Sequence, residues 1–175
     1  MMAANDRHAH GETVFSPDAG NARAFRMALG SFTTGVTVVT AMGADGPMGM
    51  TVNSFTSVSL DPPLVLWSPA KSSSKHDAFA AIDHYAIHVL SADQDGLSAC
   101  FTRGGTAFDG LDWQLNPDGI PVIPGTLARF ECRRFALHDA GDHSLIIGRV
   151  LRVAHRDGDP LCFSRGMYGH FARKA

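Results

Sequence analysis

Apolar and polar positions along this chain follow two periods. Over Ala22–Phe32, Phe25, Leu29 and Phe32 recur at helical spacing beside Ala22 and Ala28, behind a Ser16-Pro17-Asp18 entry, and predict an amphipathic helix. Thr33-Thr34-Gly35 ends it. Val36–Met42 is short and β-branched, a strand, and Ala44–Pro47 is a turn. Met48–Pro63 alternates like a half-buried strand and is expected to return as the hairpin partner, stopped by Pro62-Pro63. Leu64–Ser68 and Tyr85–Ser91 read as strands; Asp77–Ile82 and Asp93–Phe101 read as helices, the latter capped by Ser91 or Asp93. Phe108–Gly125 is a long irregular connection, a type that is often functional. Thr126–Leu137 and His143–His155 are long strands around the turn His138–Asp142. Pro160–Phe163 is a short strand, and Ser164–Phe171 an aromatic tail.

Short strands in mostly local hairpins, with helices outside, predict a mainly β fold with flanking helices: a Greek-key-like antiparallel barrel. The C-terminal strand pair argues against a doubly wound parallel sheet, and no GxGxxG follows a strand. Residues 1–19 read as a flexible N-terminal arm and residues 20–175 as one domain.

Composition narrows the function. Apolar residues make up 45% and charged ones 18%, with a net charge of −2, so neither nucleic acid nor a membrane surface is an expected partner. Cys100, Cys132 and Cys162 lie far apart with no CxxC pair, which fits a reducing, cytoplasmic compartment. There is no secretory h-region near the N-terminus.

The chemistry is neutral and hydroxyl-rich. Thr51, Ser54, Ser57 and Ser59 accompany Asn53 in the Met48–Pro63 stretch, which reads either as a Ser/Thr-rich turn or as a loop holding a polar ligand. Lys71-Ser72-Ser73-Ser74-Lys75, just before a helix, reads either as a phosphate site or as an ordinary N-cap on a solvated loop. No nucleophile elbow or Walker loop is present. No metal site is expected: His8-x-His10 offers two ligands on an arm, and His84 and His88 on a strand stand ~13 Å apart. His143, behind Gly141-Asp142, is placed for a turn to aim it into a cleft or is simply a polar turn residue.

Several pieces resemble the flavin reductase-like, FMN-binding split-barrel family. They are Phe25-Arg26-x-Ala28 leading to Thr34–Thr40, and Thr51-Val52-Asn53-Ser54-Phe55-x-Ser57-Val58-Ser59-Leu60-Asp61-Pro62-Pro63. Leu127–Cys132, Gly141-Asp142-His143, Ile147–Val150 and Pro160–Tyr168 follow in the same order, so the resemblance spans residues 20–171. It implies a homodimeric split β-barrel holding FMN or FAD and using NADH or NADPH as co-substrate. Its nearest members resemble the reductase components of two-component flavin monooxygenases, which implies a separate oxygenase partner.

Carried over, Thr51, Val52, Asn53 and Ser54 would line the isoalloxazine edge, and Ser57, Val58 and Ser59 the ribityl chain. Ser72, Ser74 and Lys75 would reach the phosphate, with Lys71, Thr34 and Gly35 on the same cofactor site. Phe101 and Arg103 would complete the cofactor side, while Asp142, His143 and Tyr168 would meet the nicotinamide, His143 being the catalytic residue. Members often carry Asn where this chain has His88, and a Lys near Ala107. Two rivals keep their place at this point: a module that retains its flavin for electron transfer or sensing, and a reductase of ferric chelates or corrinoids.

Overall fold

The computed structural model describes residues 6–7, 11–102 and 108–172. Within the expected arm, β1 (Asp6–Arg7) pairs antiparallel with β2 (Thr13–Val14). Helix α1 (Ala22–Leu29) is shorter than its apolar spacing predicts, because the chain tightens at its end: Ser31 N–H donates to Ala28 O and Phe32 N–H to Leu29 O. None of its residues is buried, and Phe32 beyond it is 78% exposed. The period correctly marks an apolar face, but none of the described residues covers it.

Instead of only ending that helix, Thr34–Gly35 forms a two-residue strand, β3. Strand β4 (Thr37–Gly43) is buried from Thr37 to Ala41, since it lies inside the main sheet with core on both faces, hence its run of β-branched residues. The Met48–Pro63 stretch is not one strand. Its first part belongs to β5 (Gly46–Val52), the hairpin partner of β4, and its second to β6 (Thr56–Leu60). The prolines do not stop pairing either: Leu60 faces Pro63, the first residue of β7 (Pro63–Trp67), across a tight turn, and proline is tolerated at a strand start.

Helix α2 (His76–Ala81), β8 (His84–Val89) and α3 (Asp95–Thr102) follow. The long connection contains a small hairpin, β9 (Gln114–Leu115) with β10 (Pro121–Val122), whose Ile120 and Val122 are buried. Buried Glu131 anchors it by accepting hydrogen bonds from Asn116, Arg129 and Arg152. Strands β11 (Ala128–Ala140) and β12 (His143–His155) are joined by Gly141-Asp142 alone, a shorter turn than expected. Gly141, at φ +67°, takes the first loop position, as a two-residue hairpin of the primed type requires. The tail is a hairpin, β13 (Leu161–Ser164) with β14 (Met167–His170), and β13 also pairs with β3.

The principal sheet is antiparallel, with order β5-β4-β8-β11-β12-β7-β6. It does not close, because β5 and β6 are not paired. Laid flat, seven strands would put these edges about 29 Å apart. Only Asn53–Phe55 separates Val52 from Thr56, a reach of roughly 14 Å at most. The sheet must therefore curl strongly, leaving an open seam bridged by three residues. Ser54 ties the bridge to the end of β7, its Oγ accepting from Ser68 N–H at 2.9 Å.

Trp67, Tyr85, Phe79, Ile87 and Ile146 fill the curl's interior. Val36, Val38, Leu90, Phe101 and Leu161 form a second core under α3 and the tail. His88 is fully buried on β8. Ile123 N–H donates to its Nε2 at 3.1 Å, so Nδ1 carries the proton given to Val38 O, and the ring is neutral with both nitrogens satisfied.

Candidate functional site

A cleft of about 370 Å³ lies at the open seam. One wall is the end of β5 and the bridge, where Met50, Thr51, Val52, Asn53 and Ser54 line it. The other is Ser68 and Ala70 with the loop into α2, which contributes Ser73, Ser74 and Lys75. Phe101 and Thr102 of α3 flank it, and His143 stands at its mouth.

The packing that shapes this space depends on a glycine. A Cβ on Gly49 would lie 2.4 Å from the Phe101 ring, so α3 approaches β5 this closely only because residue 49 has no side chain. Lys75 Nζ donates to Gly49 O at 2.7 Å, which puts a cation in the cleft wall, and partial burial holds its ammonium below the usual lysine range. Some hydroxyls are already used: Thr51 Oγ1 donates to Ser98 O at 2.7 Å. Among the described residues, the Asn53 amide and the Ser74 hydroxyl have no internal partner and are left for a ligand.

His143 is held from two sides. Its Nδ1 lies 2.8 Å from Asp142 Oδ1, and this hydrogen bond, with the charge behind it, keeps the Asp142 carboxyl below its ordinary range. With Nδ1 facing the carboxylate, Nε2 is the ring nitrogen left without a partner among the described residues. The backbone of His143 bridges to Ala70, and Ser144 N–H donates to Pro69 O at 3.1 Å. Ser144 Oγ meets His76 Nε2 at 2.9 Å. The loop that lines the cleft and the hairpin tip carrying His143 thus form one packed unit.

Of the residues expected at a cofactor site, the cleft brings together Thr51, Val52, Asn53, Ser54, Ser74, Lys75, Phe101 and His143. Ser57, Val58 and Ser59 lie instead on edge strand β6 and do not line it, nor does exposed Ser72. Lys71 faces the hairpin tip, donating from Nζ to Asp139 Oδ1 at 2.6 Å and to Gly141 O at 2.7 Å. Asp142 is itself exposed and contacts His143.

Tyr168 borders an adjoining apolar recess with Thr51, Val52 and Asn53, and its hydroxyl meets Ser98 Oγ at 2.8 Å. Thr34 lines a neighbouring larger cleft, and Gly35 pairs with Cys162. Arg103, and the arm's His8 and His10, lie outside the described residues. Sequence reasoning missed Met50, Ser68, Ala70 and Thr102 as lining residues, and the family resemblance passed over Ser73 although its loop had been read as a possible phosphate site; Ala70 carries no signal. No cluster of three His, Cys, Asp or Glu suited to a metal occurs among the described residues.

Residues 29–172 match the model of the flavin reductase like domain. The chain is 72% identical over 163 residues to FMN reductase (NADH) SmoA of Agrobacterium fabrum, covering 93% of this chain and 94% of that protein. It is 38% identical to the reductase subunit HsaB of a flavin-dependent monooxygenase from Rhodococcus jostii, over 90% of this chain and 82% of that one. Among solved structures, the Streptomyces globisporus NADH:FAD oxidoreductase SgcE6, in complex with NAD and FAD fragments, superposes with a TM-score of 0.85 at 38% identity, covering 93% of this chain and 99% of that one. A match over most of the chain, joined to a seam cleft lined with neutral donors, has one reading: this chain belongs to the flavin reductase-like domain family.

Proposed function

We propose that this protein is an NADH:flavin oxidoreductase that reduces FMN or FAD and hands the reduced flavin to a separate oxygenase component. The observation that carries the reading is the seam cleft itself: unspent Asn53 and Ser74, a single lysine or arginine among the described lining residues, Lys75, and His143 at the mouth. That donor set suits a neutral polar ring system with a phosphate tail, and the cleft volume is in the range of small-molecule sites. Thr51 to Ser54 would hold the ring edge, and Ser74 with Lys75 the phosphate. Bound there, a flavin supplies the hydride acceptor that the protein's own side chains lack.

The chain's contribution is position. Asp142 fixes the ring orientation of His143, and the Ala70 bridge fixes its backbone, so an incoming nicotinamide meets a preset group rather than a mobile one. Phe101 and Met50, both buried, restrict water along the inner wall. No activated nucleophile is needed for a hydride transfer.

The curled sheet with its bridged seam is read as a split barrel, and the uncovered α1 face with Leu60, 96% exposed on edge strand β6, as surface for a second copy in a homodimer. A cytoplasmic setting is proposed from the three widely spaced free cysteines; no helix among the described residues is long and apolar enough to cross a membrane. The test of the activity is NADH consumption by the purified protein with and without added FMN. Strong stimulation by free flavin supports the reading, and none rejects it.

A further inference from the structure

Ser98 sits midway along α3, fully buried where the helix packs on β5. A serine inside a helix often turns its hydroxyl back onto the carbonyl one turn earlier. Here the Ser98 N–H donates to Gln94 O at 3.1 Å, while its Oγ meets the Tyr168 hydroxyl at 2.8 Å. The Ser98 carbonyl carries two further contacts: Thr51 Oγ1 donates to it at 2.7 Å and Thr102 Oγ1 at 2.9 Å.

These contacts converge on a boundary. The recess beside the seam cleft, of about 240 Å³, is lined by Thr51, Thr102 and Tyr168 together with Val52, Asn53 and Phe163. Thr51, Val52, Asn53 and Thr102 line the seam cleft as well. Ser98 lines neither space, yet each of the three hydroxyl side chains just named is tied to it.

Tyr168 depends on that tie. It stands on β14, a four-residue strand whose residues are all exposed and which pairs with β13 alone. Among the described residues, the bond to Ser98 is the one side-chain hydrogen bond that joins β14 to an element outside its own hairpin. The Phe163 ring meets Tyr168 edge-on at 5.6 Å, but it belongs to the same hairpin and does not fix that hairpin to α3.

We infer that Ser98 is a positioning residue for the hydride transfer: its hydroxyl holds Tyr168 as a wall of the recess, on a frame that its carbonyl sets through Thr51 and Thr102. The inference deepens the reductase reading and rests on it. With its hydroxyl held by a buried helix and its Cα by the hairpin, the Tyr168 ring has one place to stand, beside the Thr51–Asn53 wall. Released at the hydroxyl, it swings with an exposed strand, and reactants sharing that space lose orientation rather than affinity. Ser98 touches no reactant and acts through Tyr168.

The test separates the two halves of Ser98. Ser98→Ala deletes the hydroxyl and keeps the carbonyl, so Thr51 and Thr102 stay held and only Tyr168 is released. Tyr168→Phe breaks the same bond from the other side, where Ser98 Oγ can fall back on Gln94 O. Both variants and the double variant are measured for single-turnover reduction of bound FMN by saturating NADH, with FMN titrations and urea unfolding alongside. The expected result is a reduction rate about fivefold or more lower in Ser98→Ala, with FMN affinity within about twofold of the wild type. The double variant should fall within about twofold of the slower single variant, since both singles break one contact. An unchanged rate in Ser98→Ala, with or without a loss of stability, overturns the inference. So do losses that multiply in the double variant, and so does an FMN affinity that falls as far as the rate, which would assign Ser98 to the packing of the flavin wall. A wild type that oxidises no NADH with FMN present rejects the reductase reading and the inference with it; an active wild type with kinetically silent variants overturns the inference alone.

Discussion

Lys71 donates its ammonium to the Gly141 carbonyl at 2.7 Å, and its own N–H donates to Asp142 O at 2.8 Å. One residue of the β7–α2 loop therefore grips the hairpin tip from which His143 projects. Asp139 completes the grip, and the Lys71 hydrogen bond and charge hold its carboxyl below the ordinary range. A lysine that sequence reasoning assigned to the cofactor is, in the fold, engaged with the tip.

Replacing Lys71 by Met is expected to loosen that tip and to raise the NADH KM by about three- to tenfold, as misplacement of an orienting group does. FMN affinity, read by fluorescence quenching, should stay within about twofold, and Lys71→Arg should recover much of the loss. A large fall in FMN affinity with the NADH KM unchanged would return Lys71 to the phosphate.

Lys75 gives the opposite expectation. Its Nζ lies in the cleft wall, so Lys75→Met should weaken FMN about tenfold, through loss of a charge-assisted contact, but hardly affect riboflavin, which has no phosphate. Ser74→Ala should act in the same direction more weakly. Equal losses for the two flavins would place the lysine at the ring instead.

Gly49→Ala tests the shape of the cleft. The new methyl would press on the buried Phe101 ring, costing roughly 1–3 kcal/mol of stability as overpacking does. Urea unfolding should show the loss, and flavin affinity should fall with it as α3 moves off β5.

His88 sets a pH dependence of stability. Burial pushes its pKa from 6.5 down to about 4, outweighing the Val38 hydrogen bond. Below pH 6.5 the unfolded chain takes a proton that the folded chain refuses. This contribution is therefore complete above the unfolded pKa and is lost as pH falls toward 4, by about 2 kcal/mol at pH 5. Asn keeps a donor for Val38 O where Nδ1 stands but stops short of the Nε2 position that Ile123 N–H meets, so His88→Asn should flatten this part of the pH profile in urea titrations while lowering stability at neutral pH.

The legible parts of this fold were those whose cause is local. The bounds of the strand His143–His155 follow from alternation behind a Gly-Asp turn, and the seam residues Thr51 to Ser54 stood out by their hydroxyls. The split of Met48–Pro63 into β5 and β6 was hidden, because its alternation runs on through Asn53–Phe55, where the chain leaves one sheet edge for the other. Strand β3 could not be seen either: two residues at Thr34–Gly35 become a strand only by pairing with Cys162 and Phe163, far along the chain. Helical spacing in α1 reported an apolar face truthfully and was silent on what covers it. Ala70 enters the site through a backbone bridge to His143, and a backbone contact leaves no mark on residue type.

The account stands most directly on His143. Steady-state NADH oxidation by His143→Ala at saturating FMN, beside an FMN binding titration of the same variant, measures its central claim. The account predicts that the NADH KM rises or turnover falls by about tenfold or more while FMN affinity is kept. Wild-type kinetics in that variant would contradict it.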